Sequence, residues 1–404
     1  MVLAVAATAC TTNETTTTPT GAVTGTSNAV PTTTPGTAAT GTPVKLGWVN
    51  MERGAAALPE IGDGTDIGVE RVNKYENGIN GHPIELVKCD TDGTPESSAG
   101  CANQFVAAKV VAVVAGGDLG TDAMIPILKD AGIATIGGST LGTAQTLNEA
   151  GAFFFAPPAT SYPRAEVDLA AKIGAKKLSM VLPDVSQVPV VQALAQQQAT
   201  LNGIEVSVVK FDPAAPDFAA AIASVTANGS DAIATIATDD WCTGMARAAL
   251  DASFQGKLIM GTCTKYANEV DVTKVNAYGL SSIWGPGSQT GAPKEASVII
   301  DQFRAAMADA GRPNDTGGII FGGYAAMTQV ANVLRTLPGE LTAASVMTGM
   351  KALKDAPNPL GQPITCDPRP FPGTSGCTKG WMWFQAKDAN TAVLISDGFA
   401  EVKS

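Results

Sequence analysis

Short apolar runs of strand length alternate along this chain with segments whose apolar residues recur at helical spacing. Lys45–Asn50, Pro83–Asp90 and Ile133–Ile136 read as strands, and Val110–Ala115 carries the β-branched, continuous apolar pattern of a strand buried on both faces of a parallel sheet. Helices are expected between them, from Thr65 to about Asn77, over Ser97–Ala108 with Cys101 and Phe105 on one face, and from Thr121. A further strand, Phe153–Ala156, stops at Pro157 and Pro158, which cannot continue a ladder. The rhythm then restarts. Helices Tyr162–Ile173, Val188–Leu201, Phe218–Ala227 and Gly244–Ala252 alternate with strands Lys177–Leu182, Glu205–Phe211, Asp231–Ala237, Leu258–Gly261 and Gly279–Trp284. Helices Glu295–Ala310, Phe321–Leu337 and Thr342–Leu353 follow, and strands Trp381–Gln385 and Ala392–Ile395 end the chain. Two βαβ series in tandem predict the α/β class with two doubly wound lobes. Helices followed by a hairpin are what results when the chain recrosses to the first lobe and then returns to the second.

The stretch Val110–Thr140 points to where a ligand would sit. Its two strands deliver a Gly-rich loop (Gly116, Gly117, Asp118, Leu119, Gly120, with Thr121 opening a helix) and a second loop (Gly137, Gly138, Ser139, Thr140) to one carboxyl edge. In open α/β sheets that edge, beside a helix N-terminus with free N–H groups, is the usual ligand edge. Each glycine alone reads as an ordinary tight turn; the convergence of two such loops carries the expectation. Asp118 either accepts from a ligand amine or caps the following helix, and capping is the simpler role.

The amino-terminal residues MVLAVAATA are small and apolar, and Cys10 follows directly, which resembles a bacterial lipoprotein signal (1–10) with Cys10 lipidated. Residues 11–43 are almost entirely Thr, Pro, Gly, Ala and Ser. Such a composition cannot bury enough apolar surface to order itself, so it is expected to be a disordered tether reaching on the order of 30 Å. Thr clusters with Pro also permit O-glycosylation. No later apolar run reaches the ~18 residues a membrane-spanning helix needs. The net charge is −11 and the basic residues are scattered, which argues against nucleic acid. Of seven cysteines, Cys10 aside, six remain, an even number suited to disulfides outside the cytoplasm. Local position favours pairing neighbours: Cys89 with Cys101, Cys242 with Cys263, Cys366 with Cys377. Zinc is the weaker alternative, since no CxxC occurs and His82 is the only histidine.

In its ordered stretches the sequence resembles the type I solute-binding proteins of ABC importers, specifically the branched-chain amino acid group. The resemblance is carried by Asn77–Leu86 (NGINGHPIEL), Lys88–Asp92 around Cys89, the GGDLGT and PILKDAGIATIGGST blocks, and Gly323–Met327 (GYAAM). It implies two Rossmann-like lobes joined by three crossovers, here 44–157 plus 286–358 and 158–285 plus 359–404, closing like a hinge on one small-molecule ligand. It implies no catalysis and no cofactor. The partners would be the permease and ATPase subunits of an importer, the protein a monomer outside the cytoplasm, held to the membrane only by its lipid. Matched residue by residue, the family's ligand grips fall on Asp118, Leu119, Gly120, Thr121, Ser139 and Thr140 in the first lobe. Tyr324 matches a closing aromatic, and Ser186, Gln187 and the segment ending in Asp239, Asp240 and Trp241 match grips in the second lobe. Where amino-acid binders place an acid for the ammonium group, this chain has Cys263; Asp239 and Asp240 are then the acceptors left for it. A small polar metabolite, an amino acid or related amide or carboxylate, is the solute these residues imply.

Other readings have weaker support. A dinucleotide enzyme needs GxGxxG directly after the first strand, but that strand runs into NMERGAAALPEIGDG. A ligand-sensing receptor of the same fold coupled to a signalling partner differs from an importer subunit in genetic context, not in residues. His82 lies in a turn and reads as solvated, Trp381 and Trp383 share one strand face and read as core, and Trp241 serves equally as a stacking surface or as the rim of a pocket.

Overall fold

The computed structural model describes residues 36–54, 57–138, 151–371, 373–388 and 391–402. The first βαβ series runs β1 (Val44–Met51), α1 (Pro59–Tyr75), β2 (Ile84–Thr91), α2 (Pro95–Ala108), β3 (Ala112–Ala115), α3 (Thr121–Asp130), β4 (Ala134–Ile136) and β5 (Ala152–Phe153). Its strands form one parallel sheet in the order β2-β1-β3-β4-β5. The second runs α4 (Tyr162–Lys172), β6 (Lys177–Pro183), α5 (Val188–Asn202), β7 (Glu205–Phe211), α6 (Phe218–Ala227), β8 (Ala232–Ala234), α7 (Asp239–Asp251), β9 (Lys257–Ile259), α8 (Tyr266–Glu269) and β10 (Asn276–Ser281). Here β7-β6-β8-β9-β10 repeats the strand order of the first sheet, all parallel. Topology is what the two halves share.

The remaining chain serves both sheets. Helices α9 (Lys294–Asp309), α10 (Gly318–Thr336) and α11 (Ala343–Lys351) come first. Val330, Leu334 and Val346 from the last two join the core under the first sheet with Leu46, Val114 and Ile136. Strand β11 (Gly380–Ala386) then adds antiparallel to β10, with β12 (Ala392–Leu394) and β13 (Ala400–Glu401) on β11. The expected hairpin is therefore present, on the second sheet. The loop closed by Cys366–Cys377, expected with the second lobe, packs on the first: Phe154 N–H donates to Ser375 O at 2.9 Å and Cys377 N–H to Phe154 O at 2.8 Å. Both cysteines lie in the first lobe's core. The Cys89–Cys101 and Cys242–Cys263 disulfides are present as well.

Two local expectations fail for identifiable reasons. α1 starts at Pro59, not Thr65, and runs straight through Gly62 and Gly64. Those glycines look like loop residues because they weaken an isolated helix. Here they permit a close helix crossing. A Cβ at Gly64 would sit 1.9 Å from Ile320 O, and one at Gly323 on α10 would sit 2.0 Å from Ile61 O. The tether also ends sooner than composition suggests. Ala39 N–H donates to Asn73 O and Gly41 N–H to Gly81 O, both at 2.9 Å, so the chain is tied to the end of α1 before β1 begins. His82, exposed in that turn, has its Nδ1 2.7 Å from Thr42 O.

Candidate functional site

The carboxyl edges of both sheets face one cleft of about 510 Å³, within the range of small-molecule sites. In the first sheet the edge lies at the point where strand order reverses, between β1 and β3. Trp48 and Met51 from β1, Ala115 and Gly116 after β3, and Leu58, Ile61 and Leu119 from the adjoining loops line the cleft there. From the second lobe come Leu182 at the end of β6, Val188, Val191 and Leu194 on α5, Ile236 after β8, and Trp241. Phe321 on α10 and Trp381 on β11 close the back. The edge-on contact of Trp241 with Phe211, centroids 5.3 Å apart, holds its indole in place.

The backbone amides that a Gly-rich loop would offer a ligand are largely used inside the lobe. Gly116 N–H donates to Val49 O and Gly117 N–H to Asn50 Oδ1, each at 2.8 Å. Asp118 is fully buried and takes hydrogen bonds from Thr91 Oγ1 (2.9 Å), Ser98 Oγ (2.7 Å) and Gly120 N–H (3.2 Å). It organises the loop and the start of α3; it does not line the cleft. Gly120, not Thr121, is the N-cap of α3. Thr121 is buried in the first turn with its hydroxyl donating to Asp118 O. Leu119 alone of these four reaches the cleft. Ser139, Thr140 and Cys10 lie outside the described residues.

The second lobe uses its polar groups in the same way. Thr238 caps α7, accepting from Trp241 N–H, and the helix starts at Asp239 instead of Gly244, so Asp239 and Asp240 sit in its first turn. Asp239 Oδ1 accepts from Thr264 N–H at 3.1 Å and Lys265 N–H at 3.2 Å, away from the cleft. Burial raises its carboxyl above the usual range, against those two hydrogen bonds. Asp240 is exposed and pairs with Lys265 Nζ at 2.6 Å. Ser186 is exposed, its hydroxyl donating to Gln187 Oε1, and of the pair only Gln187 lines the cleft. Tyr324 belongs to the helix packing, tilted against Phe303 and buried beside α1, and is absent from the cleft wall. The closing role on the ligand that the family resemblance implied for it is not what the packing gives it.

One residue missed from the sequence is Tyr162, the first residue of α4, which lines the cleft. Its hydroxyl accepts from Thr262 N–H at 3.0 Å, and Gly261, at φ +54°, leaves room for it, since a Cβ there would lie 2.2 Å from that oxygen. Burial pushes the phenol upward, so it stays neutral. Its edge meets Trp381, whose indole N–H donates to Ser161 Oγ at 3.0 Å. A βαβ reading shows a helix start at Tyr162; the contact with a loop a hundred residues on is not local information. Among the described residues no group of His, Cys, Asp and Glu is placed to hold a metal ion. No described helix is long and apolar enough to cross a membrane.

A sequence profile described as periplasmic binding protein matches residues 43–371. A sequence search of curated proteins finds no match. Among solved structures, the branched-chain amino acid transporter substrate binding protein LivJ of Streptococcus pneumoniae, in complex with isoleucine, superposes with a TM-score of 0.69 at 17% identity, over 89% of this chain and 99% of that one. An ABC transporter substrate binding protein of Aeropyrum pernix gives 0.73 at 16%, over 90% and 97%. The fatty acid ABC transporter substrate-binding protein of Thermomonospora curvata gives 0.71 at 16%, over 92% and 97%. These relatives are substrate-binding proteins of ABC transporters, and the family works outside the cytoplasm. With the repeated strand order, the shared edge cleft and a family match over most of its length, the chain is a type I member of the periplasmic binding protein family, built like the group named for branched-chain amino acids.

Proposed function

We propose that this protein is an extracytoplasmic solute receptor, anchored by a lipid on Cys10, that captures one small molecule by closure of its two lobes and passes it to the permease of an ABC importer. It acts as a monomer and performs no chemistry on the solute. The observation that carries this reading is the cleft walled by both sheet edges. A ligand touching both walls stabilises only the closed arrangement, so occupancy becomes a shape a permease can recognise. The sequence pointed to a small polar metabolite, but Asp118, Asp239 and Asp240 are engaged away from the cleft, and among the described residues the one acid lining it is the exposed Asp388. The relatives permit a wider range, since one was solved with isoleucine and another is named for fatty acids.

The test is a thermal-shift screen of the purified protein against amino acids, amides, aromatic acids and lipophilic solutes, with small-angle scattering on any hit. A hit should raise the melting temperature and reduce the radius of gyration, and deleting the gene should abolish uptake of that solute. A screen without hits, or uptake unchanged by the deletion, would refute the receptor reading. The anchor is checked separately, because Cys10→Ser should move the protein from the membrane fraction to the medium.

A further inference from the structure

The walls of the cleft are dry where a zwitterion would need charge. Among the described residues that line it there is no Lys, Arg or His, and the one charged residue, Asp388, is exposed at the rim and engaged elsewhere. The backbone donors of the sheet edges are largely taken: Gly117 N–H by Asn50, Thr262 N–H by Tyr162, Thr264 N–H by Asp239. Cys263, at the position where amino-acid binders carry an acid, is locked to Cys242. What the cleft does offer is hydrocarbon. Leu58, Ile61 and Leu119 face it from the first lobe, and Val190, Val191 and Leu194 from one side of α5 in the second. Val190 is 39% exposed, a large apolar side chain left at the mouth with nothing over it. The polar groups that remain are neutral, the Gln187 and Gln329 amides and hydroxyls, and the hydroxyls of Thr160, Thr262 and Ser282 have no partner among the described residues.

Enclosing an ion without a counter-charge is strongly unfavourable, whereas apolar area gains by burial. We propose, on the reading that this cleft is the solute site, that the solute is a neutral, hydrocarbon-rich molecule with at most a hydroxyl or carbonyl head. The hydrocarbon body lies between the α5 valines and the Leu58–Ile61 wall, and the head meets the free hydroxyls.

The inference is tested on the full chain by tryptophan fluorescence, since Trp48, Trp241 and Trp381 all line the cleft. Primary alcohols from hexanol to decanol and, separately, leucine, isoleucine and glutamine are titrated. The alcohols should tighten by roughly fourfold per methylene until the cleft is full, and the amino acids should give no saturable signal. Val191 is half-buried, so Val191→Asp should fold normally by circular dichroism while weakening decanol at least about tenfold. Val191→Leu should retain binding. Saturable leucine binding tighter than decanol would overturn the inference and leave the receptor reading intact. Alcohol affinity independent of chain length, or Val191→Asp binding like the parent, would also overturn it. A receptor reading refuted by the solute screen and uptake assay is a different result, because the alcohol slope reports on the cleft walls alone.

Discussion

Two spaces lie between the lobes, and they are built from opposite materials. The cleft is walled by aliphatic and indole side chains. The other, about 220 Å³, is lined by Glu60 and Asp63 from α1, Asp239 and Lys265 from the second lobe, and Arg312 and Asp315 beside α10. In it Arg312 reaches Asp63 Oδ2 at 2.6 Å and also pairs with Asp315. The main chain continues the fastening, for Gly318 N–H at the start of α10 donates to Thr264 Oγ1 at 2.7 Å. Of the acids that look like ligand grips in the sequence, Asp239 lines this space, and each ion pair here stays within its own lobe, so the Gly318–Thr264 hydrogen bond is what joins lobe to lobe. α1 and α10 separate the two spaces: Ile61 and Phe321 look into the cleft, Asp63 and Ile320 into the polar pocket. Their tight crossing stands between the apolar lining and the ionic one.

The largest expected effect is therefore on that crossing. Gly64→Val would drive a side chain into Ile320 O and force the helices apart, costing on the order of 3 kcal/mol. Urea denaturation should show the loss, and alcohol binding should fall with it. A midpoint matching the parent would mean that the crossing does not divide the two spaces.

A smaller effect is expected behind the dry wall. Glu166 on α4 is fully buried, neither carboxylate oxygen has a hydrogen-bond partner, and burial raises its pKa well above 4.5. A carboxyl whose folded-state value is raised contributes stability that is present below its unfolded value and lost as pH rises through the folded one. From about pH 4.5 upward this group should thus reduce stability by up to about 1.4 kcal/mol per pH unit. Glu166→Gln should remove that slope in urea titrations between pH 5 and pH 8, and an unchanged slope would show that the carboxyl is already paired.

The smallest effect sharpens the contrast itself. Asp239→Asn keeps an acceptor for Thr264 and Lys265 but removes a buried charge from the polar pocket, so decanol affinity should stay within about twofold and stability within about 1 kcal/mol. A tenfold change in affinity would show that the two spaces are coupled.

The sequence carried the fold where local pattern decides it. Glu205–Phe211 and Phe218–Ala227 have the bounds the pattern predicts, because strand alternation and a capped helix are local properties. α1 was read short because its glycines are explained only by α10, more than two hundred residues away. The site was partly legible. Leu119, Gln187 and Trp241 line the cleft as expected, while Asp118, Asp239 and Tyr324 were placed by position along the chain, and long-range partners turned them elsewhere. The chemistry of the cleft was the least legible part. It depends on which donors are already taken, and composition does not record that.

The late return of the chain to both lobes fixes the order in which the molecule can be finished. On one face the first sheet is covered by α1 alone until α10 and α11 arrive, and the second lacks the strand that flanks β10 until Gly380–Ala386 is in place. Neither half is complete as a nascent N-terminal fragment. Contacts this distant in sequence form slowly. Thiols are oxidised outside the cytoplasm, and there the last cysteine pair, Cys366–Cys377, closes the loop that seals the edge of the first sheet.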